Sequence, residues 1–357
     1  MALLAAGCGS STAPSSGSSS GTGNTASKFL ACMVTDTGGI DDKSFNQSSW
    51  QGMQQAAGAD KGKITVTYLP STSSADYASN ISTFVGRKCG IIVTVGFQMA
   101  SATEAAAKAN PSQKFAIVDC SYASQCLSGA KETNIDQLVF NTVQDGFLGG
   151  YLAAGMSKTH VVATYGGEAF GTVTIYEDGF YDGVQYYNTQ HHAHVNVLGW
   201  NEKTQKGNFI GNFTDLGAGQ ALTNTFITDG ADVIFPVAGG VGLGSAKAVQ
   251  TADNAGKHIY LEWVDTDGCV SAAQYCKYMV TSVTKGITTA VKTAVLSAAN
   301  GTFAGGTYIG TLANGGAVLS PFHDLSSQVP ASLQAELATI KTQIENGTIK
   351  PATKSPV

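Results

Sequence analysis

From Lys28 onward short apolar runs alternate with segments of helix length, and this alternation constrains the fold more than any other feature of the chain. Phe29–Thr35, Ile64–Tyr68, Gly90–Val95 and Phe115–Val118 read as strands bounded by Gly, Pro or Asp. Ser44–Ala59, Ala75–Val85 and Gln98–Ala109 read as the helices between them, the last stopped by Pro111. Strands joined by a helix run parallel, so this order builds βαβ units on a parallel sheet. A second series begins with helix Gly146–Met156, strand Val161–Tyr165, helix Val173–Tyr187 and strand Val195–Trp200. It continues with helix Gly219–Thr228, strand Val233–Val237, helix Leu243–Ala255, strands Ile259–Val264 and Met279–Ser282, and helix Ile287–Ala299. The fold class is therefore α/β with two similar lobes, each a mostly parallel sheet flanked by helices, and a chain that crosses between them more than once. We assign residues 28–143 plus 264–302 to an N-terminal lobe and 144–263 plus 303–335 to a C-terminal lobe. Residues 336–357 form a C-terminal helix and tail. Ligands of such folds sit in the cleft outside the carboxyl ends of the strands.

The first 27 residues contain no Lys, Arg, Asp or Glu. Met1–Gly7 is a short apolar piece, Cys8 follows, and the stretch to Ser27 is a Ser/Gly/Thr-rich linker by composition. Ala5-Ala6-Gly7 before Cys8 looks like the end of a lipoprotein signal peptide, the thiol of Cys8 taking the lipid. Because no cationic segment precedes the apolar piece, we expect the true translation start upstream of Met1. This reading places the protein outside the cytoplasm, tethered to the cell membrane. Six cysteines remain of the seven: Cys32, Cys89, Cys120, Cys126, Cys269 and Cys276. An even number suits an oxidising compartment, and none stands in a CxxC spacing that would bind zinc. Fifteen connectivities are open to six cysteines. The sequence-close pairs Cys120/Cys126 and Cys269/Cys276 could each close a small loop, which would leave Cys32 for Cys89.

The residues at the strand ends are polar, aromatic or glycine, while the strands themselves are bland. After the first strand comes Asp36-Thr37-Gly38-Gly39-Ile40-Asp41-Asp42-Lys43-Ser44-Phe45-Asn46-Gln47. Gly96-Phe97 follows the third strand, Asp119 the fourth, Gly239-Gly240 the strand Val233–Val237, and Asp265-Thr266-Asp267 the strand ending at Val264. Carboxylates accept paired hydroxyls, a lysine donates, and aromatic faces sandwich a planar ring, so the pattern suits a neutral, polyhydroxylated, aromatic small molecule. Of the 20 cations only Arg87 is an arginine, which argues against a strongly anionic ligand. A formal charge of −5 gives no basic surface for nucleic acid.

The run Asp36–Gln47, the pair Gly96-Phe97, the segment Gly230-Ala231-Asp232-Val233 with Gly239-Gly240, and Val264-Asp265-Thr266-Asp267 with Ser282-Val283-Thr284-Lys285 resemble the basic membrane protein (BMP, PnrA-like) family of lipoproteins. These are nucleoside-binding components of ABC transporters with the two-lobed type I periplasmic-binding-protein fold. The resemblance implies that Asp36 binds the purine edge with Asn46 beside it, that Phe45 stacks on the base, and that Asp119 is a second acid on the base. It further implies that Phe213 stacks on the opposite face, that Gly239 and Gly240 let backbone amides approach the ligand, and that Gly96 and Phe97 shape the cleft floor. Asp265 and Lys285 would hold the ribose hydroxyls. The implied partners are a nucleoside, permease subunits and the membrane, with the chain itself a monomer and no metal or cofactor.

Blander readings stand beside these. Asp41 and Asp42 are ordinary residues of a helix N-terminus, Lys43 a solvated charge, and Asp267 structural. Trp200 and Trp263 could be core or cleft wall. The cluster His191-His192-Ala193-His194 reads as an exposed loop, and Gly240–Gly244 lacks dinucleotide-loop spacing. No GxSxG, HExxH or Walker loop marks an enzyme. The competing functions are a sensing or adhesive lipoprotein for a sugar or other small polar ligand, and a nucleoside hydrolase built on Asp36, Asp119 and Asp265.

Overall fold

A computed structural model describes residues 28–355 and 357, apart from residues 61 and 130. The leader-like segment with Cys8 lies outside the described residues. In the first half, β1 (Phe29–Val34), α1 (Phe45–Ala59), β2 (Ile64–Leu69), α2 (Asp76–Gly86), β3 (Ile91–Val95), α3 (Ala100–Ala109), β4 (Phe115–Val118) and β5 (Ile135–Phe140) follow one another. The chain continues through α4 (Val143–Met156), β6 (Val161–Gly166), α5 (Gly171–His191), β7 (Asn196–Leu198) and the small antiparallel pair β8 (Trp200–Asn201) and β9 (Lys206–Gly207). Then come α6 (Leu216–Thr228), β10 (Val233–Val237), α7 (Gly242–Asn254), β11 (Tyr260–Asp265), α8 (Gly268–Ser271) and β12 (Met279–Lys285). The last elements are α9 (Ile287–Ala299), β13 (Gly306–Gly310), β14 (Ala317–Leu319) and α10 (Ala331–Glu345).

These strands form two six-stranded sheets, ordered β2-β1-β3-β4-β5-β13 and β7-β6-β10-β11-β12-β14. All neighbours in the first sheet are parallel, and in the second only β14 runs antiparallel, against β12. The first five strands of each sheet share one order, so the second lobe repeats the first. Buried β3 (IIVTV) and β10 (VIFPV) lie inside their sheets, as expected of strands covered by helices on both faces. The chain crosses between lobes three times: from β5 to α4, from β12 to α9, and from β13 to β14.

The lobe boundaries read from the sequence need correction. β12, placed in the N-terminal lobe by the 264–302 assignment, belongs to the second sheet with β11, which that boundary cuts after Trp263, whereas β13, assigned to the C-terminal lobe, pairs with β5 in the first. A boundary at residue 335 also cuts through α10. The pattern had no strand at Ile135–Phe140, Gly306–Gly310 or Ala317–Leu319, because Asp136, Gln137 and several glycines interrupt the apolar runs. Pairing with β4 on one side and β13 on the other makes Ile135–Phe140 a strand despite its polar residues.

Helices α4 and α5 lie unusually close together. An added Cβ on Gly150 would sit 1.9 Å from the Phe180 carbonyl oxygen, and one on Gly183 would sit 2.0 Å from that of Phe147. Each helix thus carries glycines four residues apart, Gly146/Gly150 and Gly179/Gly183, on the face that meets its partner. Disulfides join Cys32 to Cys89, Cys120 to Cys126 and Cys269 to Cys276. The first ties β1 to Cys89, two residues before β3, across a sequence separation of 57. Among the described residues no helix is long and apolar enough to cross a membrane.

Replacing Gly183 by Ala forces a backbone shift, since the clash is with main-chain oxygen; urea unfolding should show a loss of about 2–3 kcal/mol. Gly58→Ala on α1, where an added Cβ meets nothing within 4 Å, should instead gain about 0.5–1 kcal/mol. Equal effects at the two sites would refute the close packing of α4 on α5.

Candidate functional site

The carboxyl ends of both sheets face one another across a cavity of about 530 Å³, open solvent at its mouth included. Ten of the eleven residues singled out from the sequence line it: Asp36, Phe45, Asn46, Phe97, Asp119, Phe213, Gly239, Gly240, Asp265 and Lys285. Gly96 stands directly behind, at φ +112°, where an added Cβ would meet the Asp36 carboxylate at 3.2 Å and the Phe45 ring at 3.7 Å. A side chain there would crowd the Asp36 carboxylate and be strained by the positive φ.

Part of the cavity lining is built by the turn between β1 and α1. Asp36 Oδ1 accepts from the Gly38 N–H at 2.9 Å and from Asn46 Nδ2 at 2.7 Å. The same amide nitrogen donates to Asp42 Oδ2 at 3.1 Å, which leaves Asn46 Oδ1 buried with no partner. Asn46 is thereby oriented with a free acceptor. Asp42 accepts the backbone N–H groups of Ser44, Asn46 and Gln47 at 2.8–3.0 Å, capping the first turn of α1 as expected of an acid at a helix start, and it also lines the cavity. Burial pushes the Asp36 carboxyl up to about 6, opposed by the donors from Gly38 and Asn46.

Beside this turn Lys285, the last residue of β12, is buried between carboxylates of both lobes. Its Nζ donates to Asp119 Oδ2 at 2.5 Å and lies 3.7 Å from Asp265 Oδ1. Tyr176 Oη donates to Asp265 Oδ1 at 3.3 Å, and Ser44 Oγ to Asp265 Oδ2 at 2.7 Å. The ammonium also sits 5.1 Å from the Tyr176 ring and 5.4 Å from that of Phe45, a further attraction for a desolvated cation. Burial alone would lower its pKa, but the carboxylates of Asp119 and Asp265 raise it, so Lys285 stays charged. Burial moves Asp119 up to about 6 against the pull of Lys285.

Asp119 and Asp265 occupy equivalent places: they stand at the carboxyl end of the fourth strand in the lobes' shared order, Asp119 just after β4 and Asp265 as the last residue of β11, and each adopts a left-handed backbone, with φ 63° and 66°. Such a conformation is uncommon outside glycine, and Asp is among the residues that tolerate it. A disulfide-closed loop follows each acid, Cys120–Cys126 after Asp119 and Cys269–Cys276 after Asp265.

The lobes are closed on each other. Trp263 Nε1 and Ser271 Oγ both donate to the Lys43 carbonyl, at 3.0 and 2.9 Å, and Gln98 Nε2 donates to Glu168 Oε1 at 3.3 Å. Phe97 and Phe170 meet across the mouth with ring centroids 4.1 Å apart. Trp263 is thus both core and lobe contact, whereas Trp200 packs on Phe209 and donates to Asp178, away from the cavity. His192 and His194 are exposed, and His191 pairs with Glu336 at 3.1 Å. Asp267, Cys269 and His323 converge within 4.8 Å, but Cys269 is spent in a disulfide and Asp267 pairs with His323 at 2.7 Å.

Sequence reasoning missed Thr172, Val173 and Tyr176, all lining residues from the first turns of α5. The signal was present: they follow β6, whose place in the second sheet matches that of β1 in the first, so they are counterparts of the Asp36–Phe45 turn.

Two repeated α/β lobes, crossed three times by the chain and closed over a polar and aromatic cleft, define a bilobed solute-binding protein. The family model for PnrA-like ABC transporter substrate-binding proteins matches residues 29–355. The chain belongs to this family. A CD4+ T-cell-stimulating antigen of Listeria innocua is 32% identical over 356 residues, covering 96% of this chain and 92% of the relative. The ABC transporter nucleoside-binding protein BmpA of Lactococcus lactis is 28% identical, over 93% and 91% of the two chains. Among solved structures, an ABC transporter solute-binding protein from Aeropyrum pernix K1 superposes with a TM-score of 0.80 at 22% identity, over 92% of this chain and 94% of that one.

The raised value of Asp36 has a consequence for the ligand-free protein. Its folded-state pKa of about 6 lies above the ordinary 3.8, so this group costs stability as pH rises across that interval. Asp36→Asn should flatten part of the decline, its melting temperature gaining on that of the parent chain as pH rises through the window. Parallel curves would refute the shift.

Proposed function

We propose that this protein is the extracytoplasmic substrate-binding component of an ABC importer, and that it captures a nucleoside, purine in preference to pyrimidine, by closure of its two lobes. The observation that carries this reading is that one aromatic from each lobe, Phe45 and Phe213, lines a cavity that is also lined by carboxylates. A planar base fits between aromatic faces, with Asp36 and the free Asn46 Oδ1 as acceptors for its N–H groups. Asp265 and Lys285 provide an acceptor and a donor for vicinal hydroxyls. Four carboxylates, Asp36, Asp42, Asp119 and Asp265, face one ammonium in the lining, which favours a neutral nucleoside over a nucleotide. Cys8 would anchor the chain through lipid, and the three disulfides suit an oxidising compartment. Delivery would follow from the closed lobes presenting a joint surface to the permease.

Thermal melts with adenosine, guanosine, inosine, uridine and ribose test the ligand class. A nucleoside at 100 times its Kd should add about 2.7 kcal/mol, and the matching monophosphate far less. A shift with a sugar or amino acid and none with any nucleoside would overturn the reading. Asp265→Ala should weaken nucleoside binding at least tenfold by calorimetry while the chain stays folded; unchanged affinity would remove Asp265 from the site. Release of free base from inosine at catalytic turnover would make the protein a hydrolase instead.

A further inference from the structure

After α10 the chain turns at Gly347, at φ +77°, and runs back along one face of α5. The Ala352 N–H donates to Asp182 Oδ2 at 3.0 Å. Thr353 Oγ1 and the Lys354 N–H donate to Asp178 Oδ2 at 2.8 and 3.1 Å, and Ser355 Oγ lies 2.8 Å from Thr174 Oγ1. Thr174, Asp178 and Asp182 stand four residues apart, so they form a single stripe along the helix. The segment follows that stripe towards the N-terminus of α5, where Thr172, Val173 and Tyr176 line the binding cavity.

Asp178 is the main fastening. It is wholly buried, and its other oxygen accepts from Trp200 Nε1 at 3.1 Å and Gln205 Nε2 at 2.7 Å. One carboxylate therefore ties α5, the β8–β9 turn and the C-terminal segment together. Lys354 Nζ adds bonds to the carbonyls of Lys203 and Glu202, at 3.1 and 3.4 Å.

Beyond these fastenings, Lys354, Ser355 and Val357 wall a second space of about 1300 Å³, open solvent included. Its far wall is the disulfide-closed loop of the other lobe, Ala123–Cys126. This vestibule shares Phe97, Asp119 and Thr172 with the binding cavity, so it is continuous with the cleft.

We propose that residues 350–355 are a strap, latched on the Thr174–Asp178–Asp182 stripe, that forms the outer wall of the vestibule and controls how fast ligand enters and leaves. The strap is fastened to the second lobe and faces the first only across the vestibule, so lifting it widens the route without disturbing the cavity. The kinetic part of this inference rests on the cavity being the ligand site.

The double variant Thr353→Val/Ser355→Ala removes two latching side chains and no residue of the binding cavity. Its association and dissociation rates for inosine, followed by stopped flow, should both rise about fivefold or more, with Kd within about twofold. Amide exchange in the full chain should quicken at 352–355 and also across the vestibule at 123–126, a loop that makes no hydrogen bond to the strap among the described residues. Faster exchange in the strap with unchanged inosine rates and an unchanged 123–126 loop would overturn the proposal. Should the double variant fold poorly, Thr174→Cys/Ser355→Cys supplies the converse: the cross-linked form should slow both rates, and no slowing would overturn it. A chain that binds no nucleoside but shows the coupled exchange would refute the nucleoside reading and leave the strap standing. Exchange confined to 352–355 in such a chain would refute the strap as well.

Discussion

The closed form is organised around one buried ammonium. Lys285 stands between Asp119 of the first lobe and Asp265 of the second, nearly out of contact with solvent. Desolvating such a group is expensive unless its partners are close and themselves hydrogen-bonded. Both conditions are met here, by Ser44 and Tyr176 on Asp265 and by the direct contact with Asp119. The carboxylate that completes the cluster comes from the opposite lobe, so its stability depends on the lobes being together. Separating the lobes would hydrate all three charges at once. Closure is therefore an electrostatic event as well as a steric one.

The two acids reach Lys285 because the lobes are repeats of one another. Matching strand order puts Asp119 and Asp265 at corresponding strand ends, with the same left-handed backbone and a disulfide-closed loop after each. Gly96 and Gly239, both at positive φ, likewise follow corresponding strands β3 and β10. The repeat is broken where function needs asymmetry. The Asp36–Asn46 turn gives the first lobe an acid and an aromatic, while its counterpart gives the second Thr172 and Tyr176. The sixth strands also differ, β13 parallel and β14 antiparallel, because one chain must return through both sheets.

The site was more legible than the lobe boundaries, and the reason is physical. Strand ends in an α/β sheet are marked by local chemistry, so Asp36, Gly96, Asp119, Gly239 and Asp265 stand out beside their apolar strands. Membership of a sheet is not local. Nothing in Met279–Lys285 says that its neighbours are β11 and β14, and nothing in Gly306–Gly310 points back to β5. Strands such as Ile135–Phe140 were lost because their polar residues are paid for by tertiary partners: Gln137 bonds Gly306 and Tyr122, contacts made across 169 and 15 positions of sequence. The C-terminal segment was invisible for the same reason, its fastenings being on a helix about 175 residues earlier.

The glycine contacts between α4 and α5 bear on how the molecule moves. Two helices whose backbones touch have no side-chain layer to slide or repack, so this part of the second lobe deforms as a stiff plate. Compliance must then reside elsewhere, in the three short connectors between lobes. A triple connection resists twisting and shearing while allowing bending about the line that joins the strands. Relative movement of the lobes would therefore be concentrated at those three crossings.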